Sequence, residues 1–356
     1  MHPIKKASYL VAFAAAAMSY VAAPAFARAP APANTLSAAN IQSTLDAAYA
    51  QFKDLKEGAN ADYIPALAKV DPNIYGIVLV TADGRVYTKG DITSEVSIQS
   101  ISKVFTMAKV MDEQGPEAIV KTIGVDATGL RFNSIIAVEI AQKALGGPEI
   151  NPLVNPGAIT ATSMVKGENR ADVWNSILNY HSEFAGRPLK VDEEVFRSEA
   201  ATNQRNQAIG ALMYAYEFIK SDWHQAVDVY TEQCAISVNA RDLAVMAGTL
   251  ANGGKNPVTG KQVLAASNVP YVLAVMATAG LYDDSGKWLY KTGLPAKSGV
   301  GGGIIAVSPG KFGIAVISPP LDQAGNSVKA QKTIEAVSNA LGGNPYAVTP
   351  APAARR

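Results

Sequence analysis

The sequence predicts an α/β (α+β) architecture. A central, mostly antiparallel sheet is built from strands at both ends of the chain and flanked by helices, and an all-helical subdomain is inserted between them. Three observations predict it. Residues 74–81 (IYGIVLVT) are apolar and β-branched, and RVYTKG alternates after the turn Ala82-Asp83-Gly84, which makes a hairpin. Near the other end, GGGIIAVSPGKFGIAVISPP is two apolar runs joined by Ser308-Pro309-Gly310-Lys311, a second hairpin. Residues 104–290 are mostly helical in pattern, punctuated at Gly115-Pro116, Gly146-Gly147-Pro148 and Gly253-Gly254.

The elements follow in order. Ile41, Leu45, Ala48, Tyr49 and Phe52 recur at helical spacing, with Ser37 as N-cap. SIQSISKVF (97–105) comes soon after the first hairpin and reads as a helix start. ARDLAVMAGTLANGG is a buried helix ending in glycine. A last helix near 326–341 carries Val328, Ile334, Val337 and Leu341 as its apolar stripe. One domain is expected over 37–343, its helical subdomain over roughly 104–290. The tail, 344–356, is expected to be disordered.

The N-terminus is of another kind. MHPIKK is basic, ASYLVAFAAAAMSYVAA is apolar, and Ala25-Phe26-Ala27 places small residues where a signal peptidase cuts. Residues 1–27 therefore read as an export signal and 28–36 as an Ala/Pro-rich linker, which places the mature chain in the periplasm or outside the cell. The competing reading, a membrane anchor, meets an apolar run shorter than the roughly 20 residues a span needs. Loss of the signal leaves 29 basic against 30 acidic residues, a net of −1. A chain that is 48% hydrophobic and 17% charged suits a packed globule, and its near-neutral balance carries no polybasic footprint for nucleic acid or anionic lipid. Cys234 is the only cysteine, so no intrachain disulfide forms; a packed, inert thiol is expected there. Beyond His2, the histidines are His181 and His224, too few and too far from the cysteine for a structural zinc site. Both are expected at the surface.

The chemistry starts at Ser100 and Lys103. Three apart on a helix, they share a face. A serine hydroxyl needs an adjacent base, and a lysine serves only if a desolvated pocket or second cation lowers its pKa. The plainer reading is a serine capping a helix. Lys297-Ser298-Gly299-Val300 resembles the K-T-G element that accompanies S-x-x-K in penicillin-recognising enzymes, and Lys297 could be the second cation. Ser237-Val238-Asn239 echoes the S-D-N element of those enzymes, but Asn239 reads better as an N-cap.

The ordered set YIPALAKVDP, SIQSISKVF, VNPGAI, RSE…QRN, CAISV, LANGG, GLYDDSG, GLPAKSGVGGG and SPPLDQAGNSVK resembles the serine-dependent glutaminase family over roughly residues 40–342. That resemblance implies the serine β-lactamase-like fold and hydrolysis of L-glutamine to L-glutamate and ammonia. It implies Ser100 as nucleophile and Lys103 as its base, and the N–H groups of Ser100 and Val300 as the oxyanion hole. Tyr63 and Tyr282 would lie over the reacting centre, one relaying a proton to the leaving ammonia. Asn155, Glu199, Asn206 and Tyr230 would hold the amino-acid end, with Glu199 accepting the ammonium. Lys297 matches the family and would act through its charge. No cofactor and no metal are expected; a homodimer or homotetramer is. Pro156 departs from the family's small residue. It is expected to remove a backbone donor and to push Asn155 toward an extended conformation. A β-lactamase or D,D-peptidase of the same fold, and a non-catalytic periplasmic amino-acid sensor, are the rival readings.

Overall fold

The computed structural model describes residues 36–144, 146–147 and 150–348. The signal segment, nearly all of the linker and the last part of the tail lie outside them. Eight strands occur among the described residues: β1 (Gly76–Thr81), β2 (Val86–Gly90), β3 (Val96–Ser97), β4 (Lys190–Val191), β5 (Ile236–Val238), β6 (Ala296–Gly299), β7 (Gly303–Ser308) and β8 (Phe312–Ile317). The helices are α1 (Ala38–Phe52), α2 (Pro65–Ala68), α3 (Ser102–Gln114), α4 (Pro116–Thr122), α5 (Ile135–Ala144), α6 (Asn155–Met164), α7 (Arg170–Ala185), α8 (Glu193–Ala200), α9 (Gln204–Ala215), α10 (Trp223–Cys234), α11 (Ala240–Ala251), α12 (Val269–Ala279), α13 (Ser285–Thr292) and α14 (Val328–Leu341).

The main sheet runs β2-β1-β8-β7-β6, antiparallel throughout. Residues from the two ends of the chain meet at its centre, where Gly76 pairs with Ile317 and Ile317 with Gly303. Both faces are covered, which is why β1, β7 and β8 are apolar at almost every position rather than alternating. Ile77, Leu79, Ile304, Ile314 and Val316 face α1 and α14, meeting Ile41, Leu45, Ile334, Val337 and Leu341. Val78, Val80, Ile305, Val307 and Ala315 face the helical layer and Leu243, Val245 and Leu250 of α11. A Cβ on Gly313 would overlap the backbone of α11 at Ala247 and Gly248, so only glycine lets helix and strand come this close.

Local signals held where the physics is local. Ser37 accepts from Asn40 N, and Asn239 forms a capping box with Asp242 at the start of α11. A second, three-stranded sheet, β3-β5-β4, had no sequence signal, because two of its strands have only two residues. It matters for the site: pairing of Val96 with Val238 and of Ser97 with Ser237 fixes the chain just before Ser100. A third, small cluster (Ala61, Ile64, Leu67, Val195, Val300, Leu321) anchors the segment that carries Tyr63. Ala59 and Leu321 tie that segment down through two backbone hydrogen bonds.

Two expectations fail. His181 is fully buried on α7 rather than at the surface. Its Nδ1 lies 2.8 Å from Ile177 O and its Nε2 3.2 Å from Ser102 O, and Phe105 packs edge-on to the ring. The neutral ring has one N–H, which it donates to one of these two backbone carbonyls inside the core, and helical periodicity alone could not reveal the contact with Ser102. Burial pushes its pKa down to about 4, so it stays neutral. His224 is exposed, as expected, and stacks on Trp223. Pro156 does not force Asn155 into an extended conformation. Asn155 is the first residue of α6, and the extended residue is Val154 (φ −108, ψ 160). Proline in the first turn costs no helical hydrogen bond, because those N–H groups have no intrahelical partner.

Candidate active site

β3 delivers the chain to a 3-10 turn, Gln99–Ile101, that runs into α3. Gln99 has φ +50, a left-handed backbone that is uncommon for a side-chain-bearing residue. Its side chain is buried, and Nε2 donates to Glu199 Oε2 and to Ser97 Oγ, both at 3.2 Å. No serine caps α3: its N-cap is Ile101, and Ser102 Oγ instead donates to Gln99 O at 2.7 Å. The capping reading of SIQSISKVF therefore fails, and Ser100 is left free for chemistry.

Ser100 Oγ accepts a 2.7 Å hydrogen bond from Lys103 Nζ. Lys103 is 1% exposed, and burial, partly opposed by Glu199, lowers its pKa to about 8. Lys103 Nζ also donates to Asn155 Oδ1 at 2.7 Å. The Asn155 amide is held from three sides: Tyr230 OH donates to the same Oδ1 at 3.1 Å, and Asn155 Nδ2 donates to Asn206 Oδ1 at 2.9 Å. Residues from α3, α6, α9 and α10 thus form one polar chain ending at the serine.

Glu199, near the end of α8, faces the same space. Burial pushes its carboxyl up to about 7, against the Gln99 hydrogen bond and the charge of Lys103. Tyr282 (φ +55) begins the short turn before α13, and its ring rests on Phe132 at 4.8 Å. Burial raises its pKa to about 12, while hydrogen bonds to Ser100 and Ser298 pull the other way. Lys297 is buried on β6 under the Tyr282 ring, with Nζ 4.1 Å from the ring centre. Its Nζ donates to Gly280 O and Ser298 O, at 2.8 and 2.7 Å, not to the serine. Burial and the neighbouring Lys103 charge lower its pKa well below the usual range.

Gly299 brings β6 against the serine turn. A Cβ there would lie 2.7 Å from Ile98 O, so the end of β6 and the turn that carries Ser100 are in backbone contact. Val300 follows and lines the same cavity as Tyr63, Ser100, Asn155, Glu199, Asn206 and Tyr230. The structure therefore gathers seven of the sequence-identified residues on one wall system, with Lys103, Tyr282 and Lys297 packed behind it. Tyr63 sits at the mouth, 54% exposed. Tyr63, Phe132, Asn133 and Val300 also face a larger adjoining basin.

Sequence reading missed Gln99, Asn203, Phe132, Asn133 and Arg205, which line the cavity too. Arg205 stands inside the QRN stretch beside Asn206; the others carried no signal short of the fold. Ser237 is on β5, its Oγ bonded to Glu95, and Asn239 is spent on its cap. Cys234 is buried one turn after Tyr230, and burial pushes its thiol up, in keeping with an inert thiol.

A buried lysine hydrogen-bonded to a serine hydroxyl beside a buried carboxylate is an arrangement suited to a hydrolase with a serine nucleophile. The glutaminase family profile matches residues 58–346. The chain is 51% identical over 304 residues to a glutaminase of Colwellia psychrerythraea, covering 85% of this chain and 96% of that one. It is 48% identical to glutaminase 1 of Escherichia coli K12, covering 87% and 99%. Its fold is similar to the solved structure of the probable glutaminase ybaS, with TM-score 0.85, 47% identity, and 88% and 100% of the two chains covered. It is also similar to Mglu in its glutamate form, with TM-score 0.81, 32% identity, and 87% and 70% covered. The chain belongs to the glutaminase family; it is a glutaminase, an amidohydrolase.

Proposed function

We propose that this chain hydrolyses the side-chain amide of L-glutamine to L-glutamate and ammonia through an acyl-enzyme on Ser100. The observation that carries the mechanism is the 2.7 Å hydrogen bond between Lys103 Nζ and Ser100 Oγ, made by a lysine whose pKa lies at about 8. Neutral Lys103 takes the serine proton as Oγ attacks the amide carbon. The N–H groups of Ser100 and Val300 receive the developing oxyanion; loss of one such donor typically costs on the order of 10²–10³ in rate. Tyr282, buried beside the serine turn with its OH on Ser298 O, is better placed than half-exposed Tyr63 to pass the proton to the departing nitrogen. Water then enters, Lys103 accepts its proton, and the ester breaks to glutamate and free Ser100.

Glu199 takes the substrate ammonium, and Gln99 orients it. Asn155, Asn206 and Tyr230 position the amino-acid end, and much of their hydrogen-bonding capacity is already spent on one another and on Lys103. Lys297 does not touch the serine: its Nζ donates to the carbonyls of Gly280 and Ser298 beneath the Tyr282 ring, so its part is to position the end of β6 and that tyrosine. The commitment of Asn239 to the α11 cap weighs against the β-lactamase reading, which needs that side chain at substrate. Export through residues 1–27, residence in the periplasm and assembly as a homodimer or homotetramer complete the proposal. Cell fractionation and light scattering of the mature chain test these.

The deciding experiment is ammonia release from L-glutamine by residues 28–356 beside Ser100→Ala, with a chromogenic cephalosporin run in parallel. Turnover that vanishes in the variant supports the mechanism; turnover that persists removes Ser100 from it. Cephalosporin cleavage without glutamine turnover favours the β-lactamase alternative, and glutamine binding without turnover favours a sensor.

A further inference from the structure

We propose that Asp322 is a positioning residue for the reaction: it shapes the loop after β8 so that Gly325 holds Val300 and Tyr282 in place. This rests on the glutamine reading above, in which the Val300 N–H meets the oxyanion and Tyr282 serves the departing nitrogen. The loop belongs to the motif SPPLDQAGNSVK, which the proposed chemistry leaves without a part.

Residues 318–327 join β8 to α14 and touch three distant pieces of the site. Ser318 N–H donates to Gly302 O at 2.9 Å, in the turn between β6 and β7 that begins with Val300. A Cβ on Gly302 would lie 2.4 Å from Pro319 Cα, so turn and loop are in close backbone contact. Leu321 exchanges two backbone hydrogen bonds with Ala59, at 2.8 and 3.1 Å, on the segment that carries Tyr63. Its side chain shares an apolar cluster with Val300 and Ile64. A Cβ on Gly325 would lie 3.6 Å from Val300 Cγ1 and 3.8 Å from Tyr282 Cε2, so the loop backbone rests against both side chains. Gly325 does this at φ +92, a conformation that favours glycine.

The Asp322 carboxylate sets that conformation. Its Oδ1 accepts from Ala324 N–H and Asn326 N–H, both at 3.0 Å, one on each side of Gly325. Its Oδ2 accepts from Gln331 Nε2 at 2.8 Å, in the first turn of α14. The backbone closes the same ring: Gly325 N–H donates to Asp322 O at 3.1 Å, and Asp322 N–H to Asn326 O at 2.9 Å. One half-buried side chain thus holds the N–H groups that flank Gly325 and ties them to a helix. A shift at Asp322 passes to Gly325, and from there to Val300 and Tyr282. The amino-acid end of the substrate is held on the other side of the cavity, by residues of α6, α8, α9 and α10, which the loop does not carry. Displacement of the loop is therefore a loss of alignment in the transition state, and a misplacement of about 1 Å can cost on the order of 10²-fold in rate.

The test is steady-state kinetics on L-glutamine for the full mature chain, Asp322→Ala and Asp322→Asn, with L-glutamate as product inhibitor and all assays well below each thermal midpoint. Asp322→Ala is expected to lower kcat about tenfold to a hundredfold, with KM and glutamate inhibition within about threefold, as loss of alignment in the transition state alone requires. Asp322→Asn keeps an oxygen for the two flanking N–H groups, and Gln331 can turn its amide to accept from the new Nδ2. It is expected to recover most of the lost kcat. An unchanged kcat in Asp322→Ala, with only a lower midpoint, overturns the proposal, because the loop then serves the fold alone. A rise in KM at constant kcat also overturns it and assigns the loop to substrate entry. Equal losses of kcat in the two variants overturn it as well, since charge and not the shape of the loop would then be at work. Should Asp322→Ala not fold, Gly325→Ala carries the test: it disturbs the same contact and is expected to lower kcat at constant KM, and a wild-type kcat there overturns the proposal. A wild-type chain that releases no ammonia from L-glutamine removes the substrate reading and this proposal together, whereas normal wild-type turnover with an indifferent Asp322→Ala removes this proposal alone.

Discussion

Asn155 Oδ1 lies 2.7 Å from Lys103 Nζ, the same separation that joins Lys103 to Ser100. Lys103, the proposed base, is thus held between Ser100 and a neutral acceptor. Neutrality of that acceptor matters: a carboxylate at this distance would favour the charged lysine, and opposite charges within about 4–6 Å move a pKa by roughly 1–3 units. Asn155→Asp is expected to shift the rising limb of kcat/KM to higher pH by about one unit or more. A pH profile with an unmoved limb would remove Lys103 from the role of base.

The wild-type profile follows from two groups. Glu199, raised to about 7, must be ionised to take an ammonium, and Lys103, lowered to about 8, must be neutral to take a proton. Both conditions improve as pH rises, so kcat/KM is expected to climb between about pH 6 and 9 before levelling. Glu199→Gln should remove the lower part of the climb and raise KM more than it lowers kcat. A profile that falls across this range would contradict both assignments.

Removing the base should separate activity from stability. Lys103→Met keeps the volume and discards a buried charge. It is expected to lower kcat by about 10²–10⁴, the usual worth of a positioned acid or base. Its thermal midpoint should match or exceed that of the wild type, since replacing buried ions with packed apolar groups is often neutral or stabilising. A large fall in midpoint would show that Lys103 is chiefly structural.

Gly299 is where the proposed oxyanion side of the site touches the turn that carries Ser100. Gly299→Ala places a Cβ 2.7 Å from Ile98 O, and neither partner is a flexible side chain. The strand end must move away, at a cost of about 1–3 kcal/mol for overpacking. We expect a lower midpoint in thermal unfolding and a fall in kcat larger than any rise in KM, because Val300 N–H moves with the strand. Unchanged kcat would argue against Val300 as an oxyanion donor.

Pro156 should be nearly silent in catalysis. It occupies the first turn of α6, where an N–H has no helical partner. Pro156→Ala is expected to leave kcat and KM within about twofold and to cost at most about 1 kcal/mol through the freer unfolded chain. A marked change in KM would restore the idea that proline reshapes the Asn155 pocket.

The sequence by itself determined what local pattern determines: the two hairpins, the helical middle, the caps at Ser37 and Asn239, and, through ordered motifs, the residues that gather around Ser100. These signals live within a few residues, where periodicity, turn chemistry and hydroxyl caps act. What only tertiary structure decided is how far-apart residues change one another. Gln99, whose backbone is left-handed, donates its side-chain amide to Glu199, a hundred residues later. Lys103 has its lowered pKa because the packed chain keeps water from it. His181 read as a surface residue because its buried partner, the Ser102 carbonyl, comes from another helix. Arg205 went unremarked beside Asn206 because its partner, the Asn133 carbonyl, lies seventy-two residues away in the chain. Burial and long-range pairing are properties of the packed chain, so the chemistry that rests on them becomes visible only when the fold has brought its pieces together.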